Sequence, residues 1–491
     1  MTNATMYARV LAGDAAYNGR FFTGVLTTGI YCLPACKARK PKLENVRFFP
    51  SCEAAREAGL RACRKCHPDD FARGADPVLE SIEELAGEIR ANPAAFTDAR
   101  AVIRRSGFGA TRAFELFRQH YHTTPADLLL RARIATTKRA LLANTTTTLA
   151  DIAFAAGFET LSAFHENFRR LNGLTPSAYR DLRTATRFEI SLPDGFLLPY
   201  LRRALSRDIH SVTERLEGDN YTAAVRLAAG PALLKLNLSP SVVRAEILGA
   251  RPPSVATAHE RPGAVALPLA AEAHALVIGL LGLDEDAAAF SRLAKKLGLA
   301  RLVAGRDELR ISQTHSVFDG VLWSIVGQQI NFPFACLLKR RLIERAGTAL
   351  ADGLYAPPTP AAVAALEPGD LLAIQFSRQK ADYVISTARL ITEGKLDLTA
   401  LATMSATRAE RTLLAVRGLG PWSVNYLMMR ALGFPDCVPY GDTSVTSGLQ
   451  SLLKLDERPD VDATRRLMAV FSPYRSLATA HLWQFNQPIP T

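Results

Sequence analysis

Two groups of residues in this 491-residue chain have the types and spacing of reactive sites. Cys32, Cys36, Cys63 and Cys66 read C-x3-C-x26-C-x2-C. Two close pairs joined by a loop can offer four thiolates to one ion, the tetrahedral set that zinc favours at about 2.3 Å per sulfur. With Cys52, five of the seven cysteines fall in this short stretch, which reads as metal binding or catalysis and not as disulfides. Spacing alone supports a structural Zn2+ site, with a reactive thiolate as the alternative. Lys37, Arg39, Lys40, Lys42, Arg61, Arg64 and Lys65 crowd the cluster and are expected to lower its thiol pKa values. Cys52 is read as structural or free.

The second group lies near the other end. Leu413 to Val416 closes a helical pattern, Gly418-Leu419-Gly420 makes a hairpin, and Pro421 opens the next helix at its first position. Backbone N–H groups freed by such a hairpin can hold one phosphate without reading sequence. An ordinary helix–helix turn is the plain alternative. Asp442 follows Gly420 by 22 residues, in Val438-Pro439-Tyr440-Gly441-Asp442-Thr443. A desolvated carboxylate there could stabilise a developing cation; by itself the residue would also serve as a helix cap. Trp422 and Trp483 are either aromatic pocket walls or core packing.

These groups need elements to hold them. Residues 1–76 read as short strands and turns around the cysteines, and 77–184 as helices with apolar residues at three- and four-residue spacing. Within that stretch 101–121 and 149–168 each look like a helix-turn-helix. In the second, Gly157 turns the chain and 162–170 forms the recognition helix; the first shows Gly107-Phe108-Gly109 and then 111–118. Arg112, Arg118, Ser162, His165, Asn167 and Arg169 are candidates for groove or phosphate contact, unless they are merely solvated. Ala110, Phe114 and Phe168 are expected in the core. Residues 185–300 read as a β-containing domain and connector: about 187–250 alternate, with Leu234, Leu236 and Leu238 on one face and Lys235 and Asn237 on the other, a Pro-containing connector covers 251–268, and a helical pattern begins at about 270. Residues 301–491 are helical again, with Trp323, Cys336, Met428 and Met429 expected in the core. The fold class is multidomain, mainly α with smaller α+β parts.

Composition limits the functions available. Apolar residues make up 48% and charged residues 22%, so the chain is globular. Its greasiest stretch, 264–283, is broken by Pro268, Glu272 and His274, which excludes a membrane span, and no export signal opens the chain. A cytoplasmic monomer is expected. Lys and Arg number 59 against 47 Asp and Glu, a net charge of +12, and 101–150 holds eight basic residues against two acidic. Such a local excess suits double-stranded DNA as partner.

The motifs also carry resemblances. Thr27 to Cys36, Glu44 to Phe49 and Cys63-Arg64-Lys65-Cys66 closely resemble the N-terminal domain of the Ada adaptive-response proteins. That implies zinc on all four sulfurs and a methyl group accepted by Cys32 from a DNA methylphosphotriester; Leu33 and Ala62 depart from the pattern, and neither removes a ligand. The two helical units, ending alike at His122-Thr123-Thr124-Pro125 and Asn172-Gly173-Leu174-Thr175-Pro176, resemble the paired helix-turn-helix domain of AraC-type regulators, which implies a promoter operator and RNA polymerase as partners. Hairpin, helix, proline-containing loop and Asp442 resemble the HhH-GPD base-excision glycosylases, nearest to the AlkA 3-methyladenine subgroup, supported by Ile325 to Ile330, Tyr474-Arg475-Ser476 and His481-Leu482-Trp483.

The resemblance implies Asp442 as catalytic carboxylate, Trp422 and Trp483 as base-pocket walls, Gly418 and Gly420 as phosphate-binding, and Gln329 as the side chain filling the gap left by a flipped base. Trp422 stands where bifunctional lyases carry a lysine, no cysteine follows Cys437 to hold an iron–sulfur cluster, and no Pro-Cys-His-Arg motif of an O6-alkylguanine transferase occurs. The implied protein excises alkylated purines by hydrolysis alone and becomes a sequence-specific activator on methylation. The competing reading is a transcriptional regulator whose glycosylase-like half only binds DNA; the intact Asp442 beside aromatic residues argues against it.

Overall fold

The computed structural model describes residues 1–14, 17–74, 76–143, 146–249 and 267–490. The connector expected over 251–268 lies outside them up to residue 266. The chain divides into two compact units, Met1–Gly87 and Glu88–Thr491. Among the described residues no helix is long and apolar enough to cross a membrane.

The first unit is built on a four-stranded sheet in the order β3-β1-β2-β4, with β1 Phe22–Val25, β2 Ile30–Cys32, β3 Val46–Phe49 and β4 Arg61–Ala62. Phe22, Tyr31, Leu33, Phe49 and Leu60 form its core. The strands β2 and β4 run parallel with Tyr31 opposite Ala62, so the next residue on each chain brings Cys32 and Cys63 side by side. The Cys63 N–H donates to Tyr31 O at 3.0 Å and holds that register.

In the second unit the expected helical pairs form: Ala99–Arg105 with Ala110–Tyr121, and Leu149–Ala155 with Leu161–Asn172. Asp98, Thr148 and Thr160 cap three of these helices through their side chains, which satisfies N–H groups that helix starts leave unpaired. Gly157 turns the second pair at φ 91°, a backbone region that favours glycine.

The alternating segment forms a five-stranded antiparallel sheet in the order β5-β9-β8-β7-β6, comprising β5 Arg187–Ser191, β6 Glu214–Glu217, β7 Asn220–Leu227, β8 Gly230–Leu238 and β9 Val242–Leu248. Leu234, Leu236 and Leu238 are buried, Lys235 is exposed and Asn237 is half-buried, as the alternation requires. This face joins Phe164 and Phe168 of the second helix pair, Tyr179 of the following helix Pro176–Asp181, and Val277 and Ile278 of helix Leu269–Leu281 in one core. His274 is buried in it, its Nε2 2.7 Å from Asn172 O, and burial pulls its pKa down to about 3. Full burial of each phenylalanine contributes roughly 1.5–3 kcal/mol.

The remaining helices pack around a second core that includes Phe290, Val321, Ile325, Leu413, Leu419, Val424, Leu449 and Leu482. The helix Ala110–Tyr121 packs against helix Ala406–Leu414, where His120 Nδ1 lies 2.9 Å from Thr407 Oγ1.

One core expectation needs correction. Ala110, the first residue of its helix, is exposed, because at a helix start no preceding turn lies beneath the side chain, whereas Ala113 in the same turn is buried. Trp323 packs against the core as expected but is only half-buried, because its ring also lines the cleft described below and meets Phe332 at a ring distance of 5.7 Å. Phe168, Cys336, Met428 and Met429 are buried and Phe114 half-buried.

Candidate active site and metal centre

The hairpin follows helix Ala406–Leu414, which stops two residues before the expected Val416, and precedes helix Pro421–Arg430. Leu419 plugs into the core while Gly418 takes φ 97°. A Cβ on Gly418 would stand 2.4 Å from the Tyr383 ring, so both backbone and space demand glycine there. Gly420 differs. Its φ is −88°, and a Cβ would meet nothing within 4 Å. It caps the helix without a side chain, leaving open the approach to a helix N-terminus, where an anion is favoured.

Asp442 is held from four directions. As N-cap of helix Thr443–Leu453, its Oδ1 accepts from Ser444 N and Val445 N, each at 3.0 Å. Trp483 Nε1 donates to the same oxygen at 3.1 Å, and Trp422 Nε1 donates to Oδ2 at 3.2 Å. Asp442 is thus a helix cap whose carboxylate also accepts from two indole N–H groups.

Trp422 stacks on Tyr426 at 5.3 Å and 20°, and Tyr426 meets Trp483 at 6.0 Å. With Gln329, Trp323 and Tyr440 they line a cleft of about 1430 Å³ that includes Gly418, Gly420 and Asp442. Behind Tyr440, Arg475 donates to Asp436 through Nε at 2.8 Å and Nη2 at 2.9 Å. Burial opposes the Asp436 charge, yet Arg475 holds its carboxyl below the ordinary range. This pair anchors the start of helix Arg475–Phe485, which carries Trp483.

Sequence reasoning missed several lining residues. Tyr426 could have been found, being four residues from Trp422 on one helix face. Trp323, Tyr440 and the Gln328–Lys380 contact carry no local signal.

Of the proposed groove contacts, Arg118, Ser162, His165 and Arg169 are exposed. Arg112 is half-buried and paired with Glu115 at 3.1 Å. Asn167 turns its amide back to Ala163 O at 2.9 Å, so it is engaged within its own helix. The outward face of helix Leu161–Asn172 is formed by Ser162, His165 and Arg169, opposite buried Phe164 and Phe168.

The sulfurs of Cys32, Cys36, Cys63 and Cys66 all lie within 4.8 Å of one another. A tetrahedron at zinc's bond length has edges of about 3.8 Å, and Cys36 and Cys63 are 4.0 Å apart. An all-sulfur donor set of this size fits such an ion. Leu33 N and Lys65 N donate to the sulfurs of Cys66 and Cys63 at 3.3 and 3.4 Å. The thiols shift one another: hydrogen bonds from Cys32 and Cys66 pull Cys36 down to about 2, while Cys32 is pushed up. Lys40 donates to the Cys36 carbonyl at 2.9 Å. Cys66 is the most exposed of the four, with Cys32 at 9%. Cys52 lies apart, its Sγ 3.4 Å from Pro68 O.

Three family models match in order: the metal binding domain of Ada over residues 5–69, a helix-turn-helix domain over 102–182, and the HhH-GPD superfamily of base excision DNA repair proteins over 322–473. The chain is 29% identical over 502 residues to the probable bifunctional transcriptional activator/DNA repair enzyme AlkA of Mycobacterium tuberculosis, covering 97% of this chain and 95% of that one. It is 32% identical to a DNA-3-methyladenine glycosylase of Bacillus subtilis, over 41% of this chain and 68% of that one. In fold it resembles a 3-methyladenine DNA-glycosylase from Archaeoglobus fulgidus, with a TM-score of 0.50 at 18% identity, over 61% of this chain and 98% of that structure.

Proposed function

The chain belongs to the DNA-3-methyladenine glycosylase family, in the form that carries an Ada metal-binding domain and a helix-turn-helix domain ahead of the glycosylase, and from that premise we propose that it hydrolyses the N-glycosidic bond of alkylated purines such as 3-methyladenine and reads DNA methylphosphotriesters through Cys32. The observation that carries the first part is Asp442 held between Trp422 and Trp483 in one cleft with the hairpin.

The hairpin and the open face of Gly420 suit a phosphate, which positions the duplex without reading sequence. The flipped base enters between the aromatic walls, where a base made cationic by alkylation gains up to about 2 kcal/mol from electron-rich rings. As the glycosidic bond breaks, positive charge grows on the sugar, and Asp442 beside it stabilises that charge. Three donors bind its Oδ1 and Trp422 alone binds Oδ2 among the described residues, so Oδ2 keeps the freer lone pairs to orient the attacking water. With Trp422 where a lyase has lysine, the nucleophile is water and the strand stays intact.

Cys32, Cys36, Cys63 and Cys66 would hold Zn2+, which when bound keeps the sulfurs as thiolates at neutral pH. The Cys32 sulfur attacks the methyl carbon of a phosphotriester, an S–C bond forms and the C–O bond breaks, and the phosphodiester departs with the negative charge. Cys32 becomes a thioether, the site loses one negative charge, and repulsion from DNA phosphates falls. The exposed face of Ser162, His165 and Arg169 then engages an operator.

The test is release of free 3-methyladenine from alkylated duplex DNA, with strand integrity followed, and peptide mass spectrometry after exposure to methylphosphotriester DNA. Base release without strand scission and one added methyl on Cys32 are expected. No release with DNA binding intact would leave a regulator; a methyl on Cys66 would reassign the acceptor.

A further inference from the structure

Gln329 occupies the loop between helices Val317–Val326 and Phe332–Ala346 with φ 54°, exposed on the cleft wall. A non-glycine residue in that backbone region stays there only when its surroundings hold it. Two neighbours do so. The Gln328 amide Nε2 donates to Gly418 O at 2.8 Å and to Ser423 Oγ at 2.9 Å, tying the loop to the hairpin. Lys380 reaches across from helix Arg378–Thr392, and its Nζ donates to Val326 O and Gln328 O at 2.6 Å each and to Ile325 O at 3.3 Å.

Ile325 and Val326 close helix Val317–Val326 and Gln328 lies two residues beyond it, at the end where C=O groups run short of helical partners and carry the negative end of the helix dipole. A lysine there meets both needs at once. It does so at a cost, because burial pulls its ammonium down to about 8. The helix itself is secured by buried Val321, Leu322, Ile325 and Val326, so the lysine acts on the loop beyond it.

We propose that Lys380 is a positioning residue for base extrusion: with Gln328 it clamps the Gln329 loop to the hairpin, so that the side chain entering the duplex is held at a set place relative to the gripped phosphate. The proposal rests on the glycosylase reading and on Gln329 as the gap-filling residue. A loop so held loses no order when it enters the stack, which lowers the barrier to extrusion and leaves bond cleavage untouched.

The experiment measures single-turnover base release from two duplexes, one with the lesion opposite its normal partner and one with it opposite an abasic site, where extrusion breaks no base pair. Lys380→Met should slow release from the paired duplex on the order of tenfold and leave the other nearly unchanged. Gln329→Ala should slow release from the paired duplex at least as much, the double variant should be no slower there than the worse single one, and Lys380→Arg should restore most of the rate. If Lys380→Met does not fold by thermal unfolding, Gln328→Leu, which removes the tie to Gly418 and Ser423, should show the same dependence on pairing. Equal slowing on both duplexes, or additive losses in the double variant, would overturn the proposal and leave Lys380 as a structural cap. Absence of release by the wild type from either duplex would instead sink the glycosylase reading, and this proposal with it.

Discussion

The indole Nε1 of Trp483 lies 3.1 Å from Oδ1 of Asp442, although the two residues come from different helices and meet only at the cleft. Trp422 donates to the other oxygen from a third helix. The pocket walls and the carboxylate are therefore one hydrogen-bonded unit, in which a change to either ring also disturbs the acid.

Asp442→Asn should separate chemistry from fold. Asparagine caps a helix about as well as aspartate, but its amide nitrogen would face the Trp422 N–H in place of Oδ2, so the stability loss should be confined to about 1–3 kcal/mol. Base release should fall by on the order of 100-fold or more, because the amide carries no charge to oppose the developing cation. Single-turnover release beside a melting curve checks both.

Trp422→Phe removes the donor to Oδ2 while keeping a ring, whereas Trp483→Phe leaves Oδ1 its two backbone donors. The first should cost kcat roughly tenfold and the second less, since one hydrogen bond to a carboxylate contributes about 1.5–3 kcal/mol. Each variant combined with Asp442→Asn should lose little more than Asp442→Asn alone.

The hairpin glycines should respond in opposite ways. Gly418→Ala drives a methyl into Tyr383 at φ 97° and should destabilise the protein by about 2 kcal/mol or more. Gly420→Ala meets nothing in the chain, so Tm should hold. Its duplex affinity should still drop several-fold, because the methyl stands where a phosphate would approach. Denaturation and titration with a labelled duplex separate the two effects.

Wild-type protein should carry one zinc per chain by elemental analysis, and Cys63→Ser should lose it along with stability in Met1–Gly87. Release of 3-methyladenine should persist in that variant, since Asp442 and its donors all lie in Glu88–Thr491.

Lys380 makes activity and stability move oppositely with pH. Burial, with no neighbouring charge contributing, lowers its pKa to about 8, below the ordinary lysine value. Between about 8 and that value the folded state binds fewer protons than the unfolded chain, so the lysine's contribution to stability rises with pH. The charge on the loop clamp is lost over the same range, so release from a paired lesion should decline above pH 8. Lys380→Arg, which stays charged, should lack that decline in a pH–rate profile.

Much of the site was legible before folding because its signals are local. The spacing of Cys32, Cys36, Cys63 and Cys66 encodes a tetrahedral donor set. The sequence Gly418-Leu419-Gly420-Pro421 encodes a turn and a helix start, because glycine alone tolerates φ 97° and proline is suited to the first helical position. The alternation of Leu234, Lys235, Leu236, Asn237 and Leu238 encodes a strand with one buried face.

Other features depended on which elements pack together. The approach of Cys63 to Cys32 follows from the parallel pairing of β2 and β4, a long-range register that cysteine spacing does not contain. The half-burial of Trp323 and the reach of Lys380 to Gln328 depend on how separate elements pack together. By itself, then, the sequence pointed to a clustered set of four cysteines and to the hairpin, since both arise from short-range geometry, while Asp442 was singled out by its place in a motif that resembles a known family. Only the tertiary structure decided that Trp422 and Trp483 hold Asp442 from both sides and that Lys380 clamps the loop beside it, because hydrogen bonds between separate helices exist only after packing has brought their donors and acceptors together.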